Sequence, residues 1–421
     1  MALSKFQFKM KSTIPGINFG AEEEAGGQSI ANFRRIYFED SLFKFFPYGE
    51  VYYIDQVGII SDKLFFIEGM EFETKLGYNE EKQEDGGTVG GWLEHNYVWT
   101  EAQLNNGQPS NNVNGDQIFL LLSKHYMKNI HQSKSFNYEG AQQKMTISEI
   151  LEKDLCPALD IPKNKQFISK TTGYPYVNQC NEMNGVFIEN LSKVAYSISN
   201  QTSPFYTFIN CNGEFYFMTI QELMQQPPAK VYVLDIAEDM QMNDKYIKRW
   251  ETMHSGMKFN KYNYLRRFCT WDAGGQNNAE DFDIHTMTNY KVKDQNERLL
   301  VHRKFIPDSP VSTSYLGIQH LQDGPEYFKG FKNSYYRNTN LSYRMILLTQ
   351  FNAKVIAGKT VEITVSKKMQ NDEHATEYSG TWLITKSSHL FDKDGIPYSK
   401  LEIAKPKIRL DNNHPYKENF L

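Results

Sequence analysis

The stretch "EYSGTWLITKSSHLFDKDGIPYSKLEI" (residues 377–403) decides the fold class. Gly380 opens an apolar run that ends at His389, the turn "DKDG" (392–395) follows, and "YSKLEI" (398–403) alternates polar and apolar residues. Two extended runs on either side of an acidic glycine turn predict a β-hairpin. "DKDG" is also similar to the start of a calcium loop, but the glutamate that completes such a loop is missing. The stretch leaves open whether His389 is catalytic, a metal ligand or structural.

Composition places the chain among multi-domain globular proteins. Of its 421 residues 40% are hydrophobic, 23% are charged and 14% are aromatic, and the aromatic share favours strands. The net charge of −4 argues against a protein that grips DNA electrostatically. No apolar run is long enough for a membrane span, and the N-terminus lacks the apolar core of a signal peptide. We therefore expect assembly in a reducing cytoplasm.

The four cysteines show no spacing typical of a metal site or of a disulfide framework. They are widely separated along the chain, so we expect reduced, buried thiols. They are Cys156, Cys180, Cys211 and Cys269.

The first third of the chain reads as strands and loops. The runs "RRIYFED" (34–40) and "EVYYID" (50–55) are short and aromatic, and "GMEFETKLG" (69–77) alternates apolar with charged residues. The polar segment "NNGQPSNNVNGD" (105–116) predicts an exposed loop before the apolar run "QIFLLL" (117–122).

Helices enter between residues 140 and 235. "TISEILEKDL" (146–155) begins with a capping box, and "NGVFIENLSKVAYSI" (184–198) spaces its apolar residues as an amphipathic helix does, with Ile198 as its last apolar position. In "YTFINCNGEFYFMTIQELMQQPP" (206–228), Asn212–Gly213 predicts a hairpin turn, followed by a second capping box and a short helix that ends at the prolines. This region reads as a small α+β unit.

The two clearest strand regions resemble each other. "FIEGMEFETKL" (66–76) and "VIAGKTVEITV" (355–365) share Ile, Gly, an apolar residue, Glu and an apolar residue at the same spacing. Glycine permits a sharp reversal before an alternating strand. The match indicates two copies of one β unit separated by an inserted α+β segment, with coincidence as the alternative.

Patterns that suggest binding chemistry have simpler explanations. "AGKT" (357–360) lacks the earlier glycine of a phosphate loop, because Ala353 stands in its place, so it reads as a strand entry. His125 and His131 lack metal-ligand spacing, which favours surface or packing roles. The basic, aromatic "KYNYLRRF" (261–268) is more typical of a solvated face than of a single-strand binder.

One acidic cluster is a further candidate for a hydrolase site or a cation site. It consists of Glu280, Asp281, Asp283 and His285, and a solvated acidic loop is the simpler interpretation. We predict no enzyme activity, no catalytic residue, no cofactor and no metal.

The quoted hairpin resembles the last hairpin of the baseplate hub proteins of tailed phages. That contractile-tail central hub family is related to the hub part of valine-glycine repeat spike proteins and to phage late-control proteins. The strand in "VIAGKTVEITV" and the middle hairpin around Gly213 also match its pattern. The resemblance covers residues 30–76, 145–226 and 341–405. Its structural signature comprises Gly69, Gly213, Phe215, Phe217, Gly358, Gly380, Trp382 and His389.

The resemblance implies a β-rich α+β, multi-domain fold with two tube-type β-barrels and an inserted α+β segment. Residues 1–140 would form the first barrel with an N-terminal arm, 141–235 the α+β segment, and 341–421 the second barrel and tail. Residues 236–340 stay unassigned. His389, at a strand end, would have a structural role by hydrogen-bonding a neighbouring loop.

The implied function is that of a structural hub in a phage tail baseplate. A homotrimer would form a pseudo-sixfold ring that joins the hexameric tail tube to the trimeric central spike. Its partners would be itself, the tail tube protein, the spike protein and other baseplate proteins, with DNA only as passing cargo. The protein would belong to the virion and assemble in the host cytoplasm. The alternatives are the hub of a phage-derived contractile injection or secretion system, and a glycan-binding tail adhesin.

Overall fold

Strands dominate the described chain. The protein's structure, a computed structural model, describes residues 7–12, 18–20, 33–54, 69–82, 88–105, 116–130, 133–139, 145–173, 176–199, 203–234, 249–252, 318–319, 341, 343–365, 378–392 and 397–405. Long strands with a few short helices between them confirm the predicted β-rich α+β class.

The first β unit contains the strands that precede the helices. They are β1 Gln7–Ser12, β2 Asn18–Gly20, β3 Phe33–Ser41, β4 Lys44–Ile54, β5 Glu71–Lys82, β6 Thr88–Asn105 and β7 Asp116–Ser123. The predicted alternation in β5 is confirmed, because Phe72, Thr74 and Leu76 are buried while Glu73 is exposed. One face of this strand therefore packs on a core and the other meets water.

The middle segment alternates helices with short strands. Its elements are α1 Lys124–Ile130, β8 Ser133–Glu139, α2 Ile147–Ile150, a π-helical turn Leu151–Leu155, α3 Cys156–Ala158, a 3₁₀ turn Lys163–Lys165, β9 Gln166–Ile168, β10 Tyr176–Met183, α4 Asn184–Val194, β11 Phe205–Ile209, β12 Phe215–Thr219 and α5 Ile220–Met224. Both predicted capping boxes are confirmed, at Thr146 with Glu149 and at Thr219 with Glu222.

The C-terminal third returns to strands and forms the second β unit. Its strands are β13 Pro228–Leu234, β14 Arg249–Thr252, β15 Ile318–Gln319, β16 Tyr343–Gln350, β17 Thr360–Val365, β18 Gly380–Asp392 and β19 Tyr398–Lys405. The hairpin predicted from the quoted stretch is β18 paired with β19. The short β15 pairs with β10 of the middle segment instead.

One large sheet runs through both β units. Its strand order is β14-β16-β19-β18-β3-β4-β7-β6-β5-β1-β2, and β17 lies against both β18 and β13. The order β5-β6-β7-β4-β3 in the first unit is repeated as β17-β18-β19-β16-β14 in the second. The internal repeat seen in eleven residues of sequence thus extends to five strands.

The turn that leads into the strand after each glycine also has the same glycine conformation and the same backbone hydrogen bonds in both copies. Gly69 has φ +87° and Gly358 has φ +85°. The amide of Gly69 donates to the carbonyl of Trp99 at 2.9 Å, and the amide of Trp99 donates back to the residue after that glycine. Gly358 and Ile384 make the same reciprocal pair at 3.0 and 2.9 Å. Because they make the same hydrogen bonds, Trp99 and Ile384 occupy equivalent positions in the repeat.

A bulge follows at the next position in both copies. The pairing of β6 with β7 shifts register at Thr100, and the pairing of β18 with β19 shifts at Thr385. The hydroxyl of Thr100 donates to the carbonyl of Leu120 at 3.2 Å, and that of Thr385 donates to Glu402 at 3.0 Å. A shared bulge with a shared side-chain bond is a specific feature, so coincidence no longer explains the repeat.

Each part of the chain contributes most of one hydrophobic core. In the first unit the core is built from inward residues of β1, β3, β4, β5, β6 and β7 together with Phe351, Ala353 and Ile356 of the second unit, and in the second from β13, β16, β17, β18 and β19. The middle segment packs α2, α4 and the β11–β12 hairpin around a third core. A fourth cluster joins Tyr206, Phe208 and Tyr216 of that hairpin to Leu383 and Ala404 of the second unit.

The structure corrects one detail of the sequence analysis. The helix predicted to extend to Ile198 ends at Val194, because Ala195 adopts an extended conformation with ψ 139°. Ile198 is 60% exposed and lies outside the apolar face of α4. An isolated bridge between Thr171 and Ser197 holds this part of the chain extended.

Several interpretations fall wholly or largely outside the described residues. The loop 105–116, the segment 261–268, the acidic cluster 280–285, His131 and most of 236–340 are among them. The predicted domain boundaries remain predictions, and β8, within the predicted first barrel, pairs with β10 of the middle segment.

Alanine at the two equivalent glycines tests the repeated turn. At Gly69 an added Cβ meets only the Met127 methyl at 3.7 Å, so Gly69→Ala should cost about 1–2 kcal/mol from its left-handed backbone alone. At Gly358 the Cβ would approach Phe208 Cζ to 2.4 Å, which adds about 1–3 kcal/mol of overpacking. Urea unfolding of the two variants measures the difference, and equal losses would contradict the close contact with Phe208.

Candidate functional site: the seam between the two β units

The two β units are joined by direct pairing of β3 with β18, which we call the seam. The strands run antiparallel from the pair Ser41–Lys386 to the pair Arg35–Asp392. Because β18 also pairs with β17 and β19, and β3 with β4, the seam makes one sheet of both copies. Strand pairing leaves no open edge at this junction.

The core side of the seam is organised by the buried carboxylate of Asp40. Its Oδ1 accepts hydrogen bonds from the hydroxyl of Ser387 at 2.5 Å and from the amide of Ala357 at 3.0 Å. Its Oδ2 accepts the amide of Cys211 at 2.7 Å. Burial raises the pKa of Asp40, and these donors oppose that rise. One side chain of the first unit thus binds the second unit twice and the middle segment once.

His389 continues this network across β18. Ser387 has a single hydroxyl proton and donates it to Asp40, so the contact of its oxygen with His389 Nε2 at 3.2 Å requires the ring to donate there. His389 Nδ1 then accepts from the hydroxyl of Ser399 at 2.9 Å. The partners of His389 are serines on β18 and β19, whereas the sequence analysis expected a neighbouring loop.

The geometry answers the question raised by the quoted stretch. Asp40, Ser387 and His389 are the residue types of a hydrolytic triad, but the serine lies between the acid and the histidine, where a triad places the histidine. Asp40 is 1% exposed and the other two are fully buried. Burial also lowers the pKa of His389 to about 3, which is too low for a general base at neutral pH. This geometry favours a structural joint over a catalytic site.

The opposite face of the seam is held by the neighbouring residue, Glu39. Successive side chains of a strand point to opposite faces, so Glu39 lies away from the core. Its carboxylate pairs with Lys386 at 2.7 Å and Lys44 at 3.1 Å, and it also accepts from Tyr37 and from Ser388. Burial acts to raise its pKa, but these partners outweigh burial and hold the pKa below its usual value.

The middle segment inserts the tip of its hairpin, residues 210–214, beside the seam. Cys211 joins the core of the first unit, and its amide is the one held by Asp40. Gly213 has φ +69°, and an added Cβ there would lie 2.5 Å from Nδ1 of His95 on β6. The amide of Glu94 also donates to the side chain of Asn212 at 3.3 Å. The tip therefore fits against the first unit only with glycine at position 213.

The other signature residues lie in two separate cores. Phe215 and Phe217 pack in the core of the middle segment, where the ring centroid of Phe215 lies 6.2 Å from that of Phe45 on β4. Trp382 lies in the core of the second unit and donates to the carbonyl of Tyr378 at 2.8 Å. Gly380 begins β18 with φ +104°. The signature is thus a set of packing and turn positions, of which His389 alone belongs to the seam network.

Two further buried histidines connect the middle segment to the first unit. His95 contacts the hydroxyl of Ser123 at 2.8 Å through Nε2, and its ring centroid lies 5.4 Å from that of His125. His125 Nδ1 lies 2.8 Å from the carbonyl oxygen of Leu159, and because a carbonyl only accepts, Nδ1 is protonated and donates this hydrogen bond. The packing role predicted for His125 agrees with its burial. His95 carried no signal that the sequence analysis recognised.

The key residue of the seam was also missed, although the sequence carried a signal for it. In β3 the buried positions Ile36 and Phe38 alternate with Tyr37, and the next residue on the buried face is Asp40. A carboxylate on the apolar face of a strand requires buried donors. Which donors these are depends on distant parts of the chain, and no local pattern identifies them.

The remaining site hypotheses can be placed within the described part of the chain. The glycine and lysine of "AGKT" form the turn into β17, as predicted, and Lys359 pairs with Glu214 at 3.4 Å. Cys156 and Cys211 are free, buried thiols, as predicted for them. Among the described residues, no cluster of His, Cys, Asp and Glu is arranged to hold a metal ion. Nor does any helix there have the length and apolarity needed to cross a membrane.

Comparisons with known proteins give matches in structure only. No protein-family model matches the chain, and no curated protein matches it in sequence. The chain is similar to the tail protein from Neisseria meningitidis MC58, with 10% identity, a TM-score of 0.48, and coverage of 96% of this chain and 98% of that one. The 43 kDa tail protein of prophage MuSo2 from Shewanella oneidensis has 10% identity, a TM-score of 0.49, and coverage of 95% and 98%.

A secretion component is also similar. It is the E. coli c3393 protein, described as a component of the type VI secretion system with structural similarity to T4 bacteriophage tail proteins gp27 and gp5. It has 11% identity and a TM-score of 0.47, and the match covers 94% of this chain and 76% of that one. Phage tail proteins and their secretion relatives are the class that the sequence motifs indicate. With TM-scores below 0.5, the functional argument rests on the chain's own repeat and seam.

Removing the charge of Asp40 tests the seam. In Asp40→Asn one carboxylate oxygen becomes an NH₂ donor that faces another donor, so we expect a loss of about 2–4 kcal/mol in the free energy of unfolding. The matched control is Glu73→Gln, which removes an exposed carboxylate from β5 and should cost less than about 0.5 kcal/mol. Urea unfolding at pH 7 measures both, and equal effects would contradict the central role of Asp40.

The buried histidines predict loss of stability in mild acid. Burial lowers the pKa of His125 to about 4 and of His389 to about 3, and burial together with the charge of His125 also lowers that of His95. Below pH 6.5 the unfolded chain therefore binds more protons than the folded chain, and stability falls as the pH falls. The raised pKa of Asp40 acts in the opposite sense.

Each such histidine should contribute about 1.2 kcal/mol per pH unit to the slope between pH 6 and 5, where the unfolded histidine is protonated to about nine-tenths on average. Urea unfolding at several pH values measures this slope. In His125→Gln the slope should decrease by one histidine's share, and an unchanged slope would show that His125 is charged in the folded chain.

Proposed function

We propose that the protein is the structural hub of a phage tail baseplate. Three copies form a ring that joins the hexameric tail tube to the trimeric central spike and lets DNA pass. The observation that carries this proposal is the internal repeat, in which two five-strand units are joined edge to edge by the seam. Such a chain is an arc of two units in a larger cyclic arrangement.

The arc has complementary ends. At the seam, β3 of the first unit pairs with β18 of the second. In the repeat, β14 of the second unit is equivalent to β3, and β6 of the first unit is equivalent to β18. Among the described strands, β14 pairs only with β16. A chain with one edge of each kind associates head to tail, and head-to-tail contacts generate either a closed ring or an open filament. The hub resemblance favours closure with three chains.

The repeat also supports the adaptor role between sixfold and threefold partners. Each chain has two β units but a single middle segment, because that segment is inserted between the last strand of the first copy and the first strand of the second. A ring of three chains therefore presents six similar β units and three middle segments. The first set matches a hexameric tube and the second a trimeric spike.

The chemistry of the site favours a structural role over catalysis. The Asp40–Ser387–His389 network, which has the residue types of a hydrolase, is buried. The net charge of −4 suits a channel through which DNA slides without strong binding. The hub of a phage-derived contractile injection or secretion system would use the same ring, and the genes that neighbour this one distinguish the two settings.

The solution mass of the purified chain tests the proposal. Light scattering should give a particle of about three times 49.0 kDa, and negative-stain images should show rings with a central hole. Asp40→Asn should reduce the trimer fraction at 37 °C because it loosens the arc, whereas Glu73→Gln should leave that fraction unchanged. A monomer at all concentrations, even with tail tube and spike proteins added, would overturn the proposal.

A further inference from the structure

We infer that neighbouring chains are joined by pairing of β14 of one copy with the last residues of β6 of the next, in the register set by the internal seam. This inference rests on the proposed function, because it names the contact that closes the ring. The partner is a second copy of this chain. The structure describes the backbone pairing of both strands.

The end of β6 has the geometry of an acceptor edge. β18 pairs with β17 at its start and, on the same side, with β3 from residue 386 onward. β6 likewise pairs with β5 up to Val98, but residues 101–105 pair only with β7 among the described strands. The edge that β3 occupies on β18 is thus present on β6 without a partner in the described chain.

The β6 side of the register follows from the shared bulge. Thr100 corresponds to Thr385, since both are bulged and both donate a hydroxyl to the next strand. Counting onward along the two strands, Leu104 corresponds to His389 and Asn105 corresponds to Leu390.

The β14 side follows from the next pair of strands. Leu120 corresponds to Glu402, because the carbonyl of each accepts the threonine hydroxyl. The strands that pair with these two residues are β4 and β16, and counting along the two registers matches Val51 with Leu347. Val51 pairs with Ile36, and Leu347 pairs with Trp250.

Trp250 therefore corresponds to Ile36. Counting onward along β14 and β3, Glu251 corresponds to Tyr37 and Thr252 corresponds to Phe38.

The internal seam then assigns the pairs between chains. At the seam Tyr37 lies opposite Leu390 and Phe38 lies opposite His389. The corresponding pairs are Glu251 of one copy opposite Asn105 of the next, and Thr252 opposite Leu104. Opposite residues of an antiparallel pair have Cβ atoms about 4.5–5.5 Å apart, which is close enough for an engineered disulfide after small adjustment.

Cysteine cross-linking tests the register. Glu251→Cys is mixed with Asn105→Cys, each in a full chain whose Cys180 and Cys269 are replaced by serine, and the mixture is oxidised. Non-reducing gels should show a covalent dimer that approaches about half of the chains, which is the maximum for randomly mixed trimers because only one joint in four combines the two variants. The control pairs Glu251→Cys with Glu101→Cys, which lies four residues and about 13 Å further along β6, so its cross-linking should be at least tenfold lower.

The outcomes separate this inference from the proposed function. Circular dichroism confirms that each variant folds, and light scattering reports whether the trimer forms. Trimers without the 251–105 cross-link, or with an equal 251–101 cross-link, would overturn the joint while leaving the ring. Monomers without any cross-link, even with tail tube and spike proteins added, would overturn both.

Discussion

The structure depends on one buried carboxylate, that of Asp40. A carboxylate removed from water is costly unless donors replace its hydration, and here three donors do so. They come from Cys211 in the middle segment, from Ala357 before β17 and from Ser387 on β18. The three segments are therefore placed relative to one another by a single group, and the histidine network extends the same chain of bonds to β19.

The seam has a second anchor on its other face. Glu39 and Asp40 are adjacent in β3 and point to opposite sides of the sheet, so one carboxylate binds charged partners near water while the other binds neutral donors in the core. The two environments shift their pKa values in opposite directions, downward for Glu39 and upward for Asp40. A strand held from both faces fixes the angle between two β units, which a ring of such units requires.

The internal repeat connects the seam to assembly. Equivalent turns at Gly69 and Gly358 and equivalent bulges at Thr100 and Thr385 show that both copies retained the same local construction. They differ in what packs against them, since an added Cβ at Gly358 would lie 2.4 Å from Phe208 of the middle segment whereas at Gly69 it would lie 3.7 Å from the Met127 methyl. One copy thus provides the docking surface for the hairpin of the middle segment, so the proposed ring of three chains would carry three such segments on six β units.

The local elements can be predicted from the sequence. The strand alternation around Phe72, both capping boxes, the Asn212–Gly213 turn and the final hairpin follow from interactions within a few residues, so a local pattern identifies them. The eleven-residue echo also indicated the repeat correctly. The end of α4 was not predictable in this way, because the bridge between Thr171 and Ser197 ends the helix before the apolar pattern does. The tertiary structure alone decided the seam, since the partners of Asp40 lie 171 to 347 residues away and a buried charge can be recognised only when all of its donors are in place.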